Sequence, residues 1–348
     1  MLEIDGSYLE GGGAIVRIAS ALSAITGTAI RIGNIRAGRK KPGLMTQHLE
    51  SLKAVASLCS GRLSGAFLGS TEIELHPGQL GAGTFSVEIG TAGAIGLLFQ
   101  SVCAPMCMAE GDVRLAINGG ATFAKWAPPL PAMAHVLLPT LSRMGFRAEI
   151  EILRHGFYPK GGARVHITGH PCKRLQPLLL AEPGEARLVQ GVSVASNHLR
   201  NARVADRQAL AAQQALARSG FEAAIESEYV DAANPGSGIA LWTETTTGAF
   251  IGGDSTGERG KPSEQVGEEA AGQILKTLGA GAAVDEHLSD QLLIFMALSE
   301  GRSIITAPKL TDHAKTNIYV IQQFLPVDFQ IHENGAIMIA CSGRRASA

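Results

Sequence analysis

No stretch of about eighteen consecutive apolar residues occurs in the sequence, so a membrane-spanning helix is not expected. The opening "MLEIDGSYLEGGG" has no basic region ahead of an apolar one, the pattern of a secretory leader, and a cytoplasmic location is expected. Cysteine is sparse. Cys59, Cys103, Cys107, Cys172 and Cys341 are odd in number and lack the paired spacing of a zinc site or disulfide framework, so they read as reduced thiols. Cys103 and Cys107 share a helix face, where packing explains them better than metal ligation. The net charge of −1 excludes a broad basic surface of the kind that coats duplex nucleic acid, so any polyanion must be gripped locally.

Familiar catalytic signatures are missing too. "GERGKPS" resembles a phosphate-binding Walker loop only loosely: its first glycine is absent and Pro262 stands where a serine or threonine should follow the lysine. There is no G-x-S-x-G elbow, which argues against Ser/His/Asp hydrolysis, and no H-E-x-x-H or histidine pair at metal-ligand spacing.

What is present is glycine. Its 42 residues punctuate many short strand-like and helix-like segments. Beneath the punctuation lies a repeat of a strand, two helices and further strands, over about residues 1–80, 81–183 and 281–348. The fold class expected is α/β (α+β): three sheet-plus-two-helix modules in pseudo-threefold arrangement. Residues 184–280 fit none of the modules and read as a smaller inserted α/β domain, whose loop "GDSTGERGKPSEQ" is expected to be mobile.

Three places could carry chemistry. "EGGG", Glu10 to Gly13, runs into a helix with Arg17 one turn on. Exposed amides, close-approach glycines and an arginine suit an anion, and Glu10 beside them hints at a metal-bridged phosphate. A glycine-rich turn packed on a neighbouring strand is the alternative. "RIGNIRAGRKKPG" gathers Arg31, Arg36, Arg39, Lys40 and Lys41, as a phosphate grip or as a solvated loop. In "TDHAKTNI", Thr311 or Asp312 would cap a helix with His313 in its first turn, where the dipole disfavours imidazolium and leaves a nucleophilic ring nitrogen. A structural histidine is the other reading.

Taken together, "DGSYLEGGGAIVR", "IRAGRKKPGLMTQH", "LRHGFYPKGGARV", "GERGKPSEQVGEEAA", "HLSDQLL" and "TDHAKTNI" resemble the RNA 3′-terminal phosphate cyclases over nearly the whole chain. The resemblance implies an enzyme that uses ATP and a divalent metal, Mg or Mn, to convert an RNA 3′-phosphate to a 2′,3′-cyclic phosphate through a covalent histidine–AMP. It places the nucleophile on His313 and the metal on Glu10. It puts Arg17, Arg36, Arg39, Gln47 and His48 around the phosphates and the RNA terminus, and Asp290 and Gln291 near the nucleotide. His287 stands where some relatives carry an adenine-stacking tyrosine. The segment "GGATFAKWAPPLP" is longer than in relatives; we assign Pro129 as the residue opposing His287, with Pro128 the alternative. "HGFYPKGG" reads as a hairpin turn, with Lys160 a candidate RNA contact. The expected partner is RNA ending in a 3′-phosphate, with no membrane and no obligate protein partner. Two alternatives stand beside this one: a non-catalytic cyclase-like RNA-binding protein, and an enolpyruvyl-transferase-like enzyme, which needs twice as many modules.

Overall fold

Glycine punctuation and apolar alternation translate into sixteen short strands and nine α-helical segments among the described residues, 1–9 and 11–344, of the computed structural model. The first sheet contains β1 (Leu2–Asp5), β2 (Ile30–Gly33), β3 (Arg62–Ser64) and β4 (Ile73–His76), interleaved with α1 (Gly13–Thr26) and α2 (Thr46–Leu58). The second contains β5 (Gly83–Ala94), β6 (Val113–Ala121), β7 (Arg147–Arg154) and β8 (Arg164–His170). Its helices are α3 (Ile95–Cys107) and a composite in which α4 (Leu130–Ala132) passes through a π-turn (Met133–Leu137) into α5 (Leu138–Arg143).

A two-residue strand, β9 (Leu179–Leu180), precedes the next unit, which holds β10 (Val189–Ser196), α6 (Val204–Arg218), β11 (Ala223–Val230), β12 (Ser237–Glu244), β13 (Phe250–Thr256) and α7 (Ser263–Gly279). Then come α8 (Glu286–Leu298), β14 (Ser303–Ala307), α9 (Asp312–Phe324), β15 (Phe329–Asn334) and β16 (Ala336–Cys341).

The strands form four sheets of four: β1-β2-β4-β3, β5-β6-β8-β7, β9-β14-β16-β15 and β11-β10-β12-β13. In the first three the order is first, second, fourth, third, with one parallel pairing followed by two antiparallel ones. The fourth keeps that pattern of directions but starts from its second strand. One boundary differs from the sequence reading. Leu179–Leu180 falls inside the range given to the second module, yet it pairs in parallel with Ile304–Ile305 of the last sheet. A two-residue strand carries too little alternation to show which sheet it joins.

The helices pack together beneath these sheets. Helix α1 buries Ile15, Val16, Ile18, Ala19 and Leu22 because it is covered by α2, α3 and α9 at once. Each large aliphatic side chain so buried contributes about 1.5–3 kcal/mol. This core is continuous with that of α8 and α9, while β10–β13 with α6 and α7 enclose a separate cluster around Leu216, Leu241, Ile251 and Ile274. The five cysteines are free, as expected. No helix among the described residues is long and apolar enough to cross a membrane.

The loop expected to be mobile is tied down. The Lys261 ammonium donates to Ser255 Oγ at 2.9 Å and pairs with Glu269, and Glu258 pairs with Lys125 at 2.8 Å. In "HGFYPKGG", Gly161 N–H donates to Phe157 O at 2.7 Å, which closes the anticipated turn around a cis Tyr158–Pro159 bond.

Candidate active site

The glycine-led start of α1 is where two of the candidate segments meet. Gly12 caps the helix in an extended conformation, and Gly11 has φ +54°, a left-handed value that glycine adopts without strain. A Cβ on Gly13 would fall 2.2 Å from His48 Nε2 and 3.1 Å from Arg17 Nη1, so only glycine lets the imidazole and guanidinium close on the helix end. Glu10 lies outside the described residues.

His48 is buried and occupies the first turn of α2, where its Nδ1 accepts the Met45 backbone N–H at 3.1 Å. That bond leaves the ring proton on Nε2, the atom facing Gly13. Burial, reinforced by the neighbouring Arg17 and Arg36 charges, pushes the imidazole down to about 3, so it stays neutral. Arg36, at φ +55°, folds back onto its own loop and donates to Lys41 O at 2.7 Å and Gly43 O at 2.8 Å. Burial and the nearby Arg39 lower its pKa. Gln47 precedes His48, half-buried. Arg31, by contrast, turns to the sheet surface and pairs with Glu72 at 2.9 Å. Neutral N–H donors and crowded arginines at a helix N-terminus have the chemistry to hold an anion.

Helix α9 carries His313. Thr311 caps it, accepting the Ala314 N–H at 2.9 Å while donating its own hydroxyl proton to Asp290 Oδ1 at 2.5 Å. Asn317 Nδ2 reaches the Asp290 carbonyl at 2.9 Å, so α9 is fixed to α8 at two points. His313 itself is exposed, in the first turn as the sequence predicts. Burial raises the Asp290 carboxyl to about 6, opposed by the Thr311 hydrogen bond and by the adjacent His313 and His287. Tyr8 stacks on Tyr319 with ring centroids 3.8 Å apart, clamping the turn before α1 onto α9.

Next to Asp290, at Gln291 and His287, opens a small cleft. Pro128, Met133 and Val136 give it an apolar wall; His287 and Gln291 come from α8, and Gly252, Asp254 and Gln273 from the unit of β10–β13. Asp285 joins these parts. Its Oδ1 caps α8 by accepting the His287 and Leu288 N–H groups, and its Oδ2 accepts the Gly252 N–H at 3.1 Å. Pro128 lines the cleft, whereas Pro129 serves as N-cap of α4, its carbonyl accepting the Met133 N–H. Pro128, the alternative, is thus the proline that faces His287 across the cleft lining, and Pro129, the residue assigned, is not among the lining residues.

The sequence candidates thus fall into two groups: Arg17, Arg36, Arg39 and His48 about the start of α1, with Gln47 preceding His48 on α2, and His287, Asp290, Gln291 and His313 about the starts of α8 and α9. Helices α1 and α9, which carry part of each, pack against one another. Sequence reasoning missed the positioning contacts of Thr311 and Asn317 to Asp290, and the part played by Asp254 and Asp285. A D-x-x spacing at the start of α8 marks Asp285 as a cap, but nothing local marks Asp254.

The family model for RNA 3′-terminal phosphate cyclase matches residues 8–331. A protein of that name from Pyrobaculum neutrophilum is 44% identical over 96% of this chain and 96% of its own. Another from Methanopyrus kandleri is 44% identical over 95% of each chain, and one from Pyrococcus abyssi 43% identical over 95% of each. Among solved structures, an EPSP synthase from Acinetobacter baumannii is 12% identical with a TM-score of 0.31, over 95% of this chain and 62% of that one, which carries no argument. A family match across the described site, together with relatives matched end to end, establishes that the chain belongs to the RNA 3′-terminal phosphate cyclase family.

Proposed function

We propose that this protein is an ATP-dependent enzyme that converts an RNA 3′-phosphate into a 2′,3′-cyclic phosphate, working in the cytoplasm through an adenylated His313. The single observation that carries the reading is an exposed imidazole in the first turn of α9, a helix packed against α1, whose glycine-led start holds His48 and Arg17. In the first step a ring nitrogen of His313 attacks the α-phosphorus of ATP. A P–N bond forms, the bond to the β-phosphate oxygen breaks, and pyrophosphate leaves. An oxygen of the RNA 3′-phosphate then takes the adenylyl group from the histidine. Finally the ribose 2′-hydroxyl attacks the activated RNA phosphorus, loses its proton and expels AMP. Attack is favoured because the hydroxyl is already held alongside and AMP is a far better leaving group than an oxide.

Arg17, Arg36, Arg39 and the Nε2–H of His48 would hold the phosphates, and the cleft between Pro128 and His287 the base. Imidazole covers less of a base than a phenol ring would, so Pro128 takes a larger share of the stacking. A divalent cation would neutralise phosphate charge here. Among the described residues no three His, Cys, Asp or Glu side chains converge on a metal position. Glu10 would hold such a cation, since Mg²⁺ commonly binds through one or two carboxylates plus substrate.

The domain reading belongs to the same proposal: residues 1–80, 81–183 and 281–348 as three modules about a pseudo-threefold axis, with 184–280 inserted. The strand order shared by the first three sheets supports it, with Leu179–Leu180 lending the third module its first strand.

The test is incubation with ATP, magnesium and an RNA ending in a 3′-phosphate. The proposal expects that end to become resistant to phosphatase, with Arg39→Ala keeping self-adenylation but losing most transfer to RNA. An end that stays sensitive would instead leave a non-catalytic RNA-binding protein.

A further inference from the structure

Resting on the reading of the cleft as a base site, we propose that Asp254, from the unit of β10–β13, reads the amino-bearing edge of the base there, with Gln291 as its partner. The geometry has three parts. Strand alternation puts Asp254 on the same face of β13 as Gly252, the residue whose N–H bonds Asp285 and whose missing Cβ would lie 3.0 Å from Val136 Cγ2. Gly253, between them, faces the other way, against Ala270 of α7. The Asp254 side chain therefore lines the cleft, across from the apolar wall.

The second part is an unsatisfied atom. Gln291 spends its amide N–H on the His287 carbonyl at 3.1 Å, and its buried Oε1 has no hydrogen-bond partner. An acceptor buried without a donor is unfavourable, and an occupant that donates would satisfy it. The third part is the carboxyl itself. Burial pushes Asp254 up to about 7 against the pull of His287, with Asp285 adding to the rise. In its neutral form the acid both donates and accepts. The two acceptors and one donor that Gln291 and Asp254 bring to the cleft are complementary to adenine, whose 6-amino group donates two protons and whose N1 accepts one.

The experiment compares AMP with purine riboside 5′-monophosphate, which lacks only the 6-amino group, by equilibrium calorimetry on the full chain. Asp254→Ala should cut the preference for AMP about tenfold by weakening AMP alone. Asp254→Asn, whose amide also donates and accepts, should restore most of that preference. Equal weakening of both nucleotides, or an unchanged preference, overturns the role of Asp254. Labelling of the wild type with α-³²P-ATP, run alongside, separates the two levels. A labelled protein with equal losses removes only Asp254, whereas no label and no binding of either nucleotide removes the base-site reading as well.

Discussion

His48 shows how one side chain acquires a role from its neighbours. A histidine with an ordinary pKa would be partly charged near neutrality and would bind phosphate as a cation. Buried between Arg17 and Arg36 and accepting the Met45 N–H, it is instead a fixed neutral donor. The linkage sign follows. Its pKa falls on folding, from about 6.5 to about 3, so the unfolded chain binds the extra proton as pH drops, and stability is lost as pH falls through 6.5. Between pH 7 and 5 this amounts to about 2 kcal/mol from one buried group. His155, lowered to about 4 by burial, acts in the same direction. Asp254 and Asp290, raised on folding, act oppositely: the stability they contribute is present at low pH and lost as pH rises towards 6–7. Chemical denaturation at pH 7 and pH 5 should therefore give a smaller pH-dependent loss in His48→Ala than in the wild type, by about 2 kcal/mol. An identical loss would mean that His48 is not held neutral.

Among the elements, α9 has the most exacting start. Thr311 holds it twice over, through the Ala314 N–H and the Asp290 carboxyl. Thr311→Val keeps the shape but removes both bonds, and should cost about 1–3 kcal/mol. The self-adenylation rate should fall with little change in the KM for ATP, and Thr311→Ser should recover most of it. A loss confined to KM would place Thr311 in nucleotide binding instead.

The helix start itself was legible, because Thr-Asp ahead of a 3.6-residue apolar stripe is a local signal. So were α1, α2, α8 and the strands between them. The π-turn before α5 was not. Pro139 has no N–H to give the carbonyl four residues back, and the ladder widens there inside what reads as one helix. Strand β3, three residues long and mostly exposed, left too little pattern to see. Pro128 and Pro129 differ by one residue, and only packing decides which faces the cleft.

Across the whole molecule, the two candidate groups come from opposite ends of the chain, and the helices α1 and α9 that carry part of each pack against one another. Motifs in the sequence named most of the residues in each group, since those residues lie in short runs. What joins the groups was hidden. The Tyr8–Tyr319 stack, the Asp285–Gly252 bond and the position of Asp254 all link segments remote in sequence, and no periodicity reports such contacts. The unit of β10–β13 illustrates this most plainly: read from sequence as an inserted domain with a mobile loop, it contributes one wall of the cleft.

The central claim is that a single imidazole becomes covalently adenylated, and it is tested most directly by peptide mass spectrometry of the protein after reaction with ATP and magnesium. An AMP adduct confined to the peptide containing His313, and absent from His313→Ala, is the predicted result. An adduct on another residue, or one that persists in His313→Ala, would contradict it.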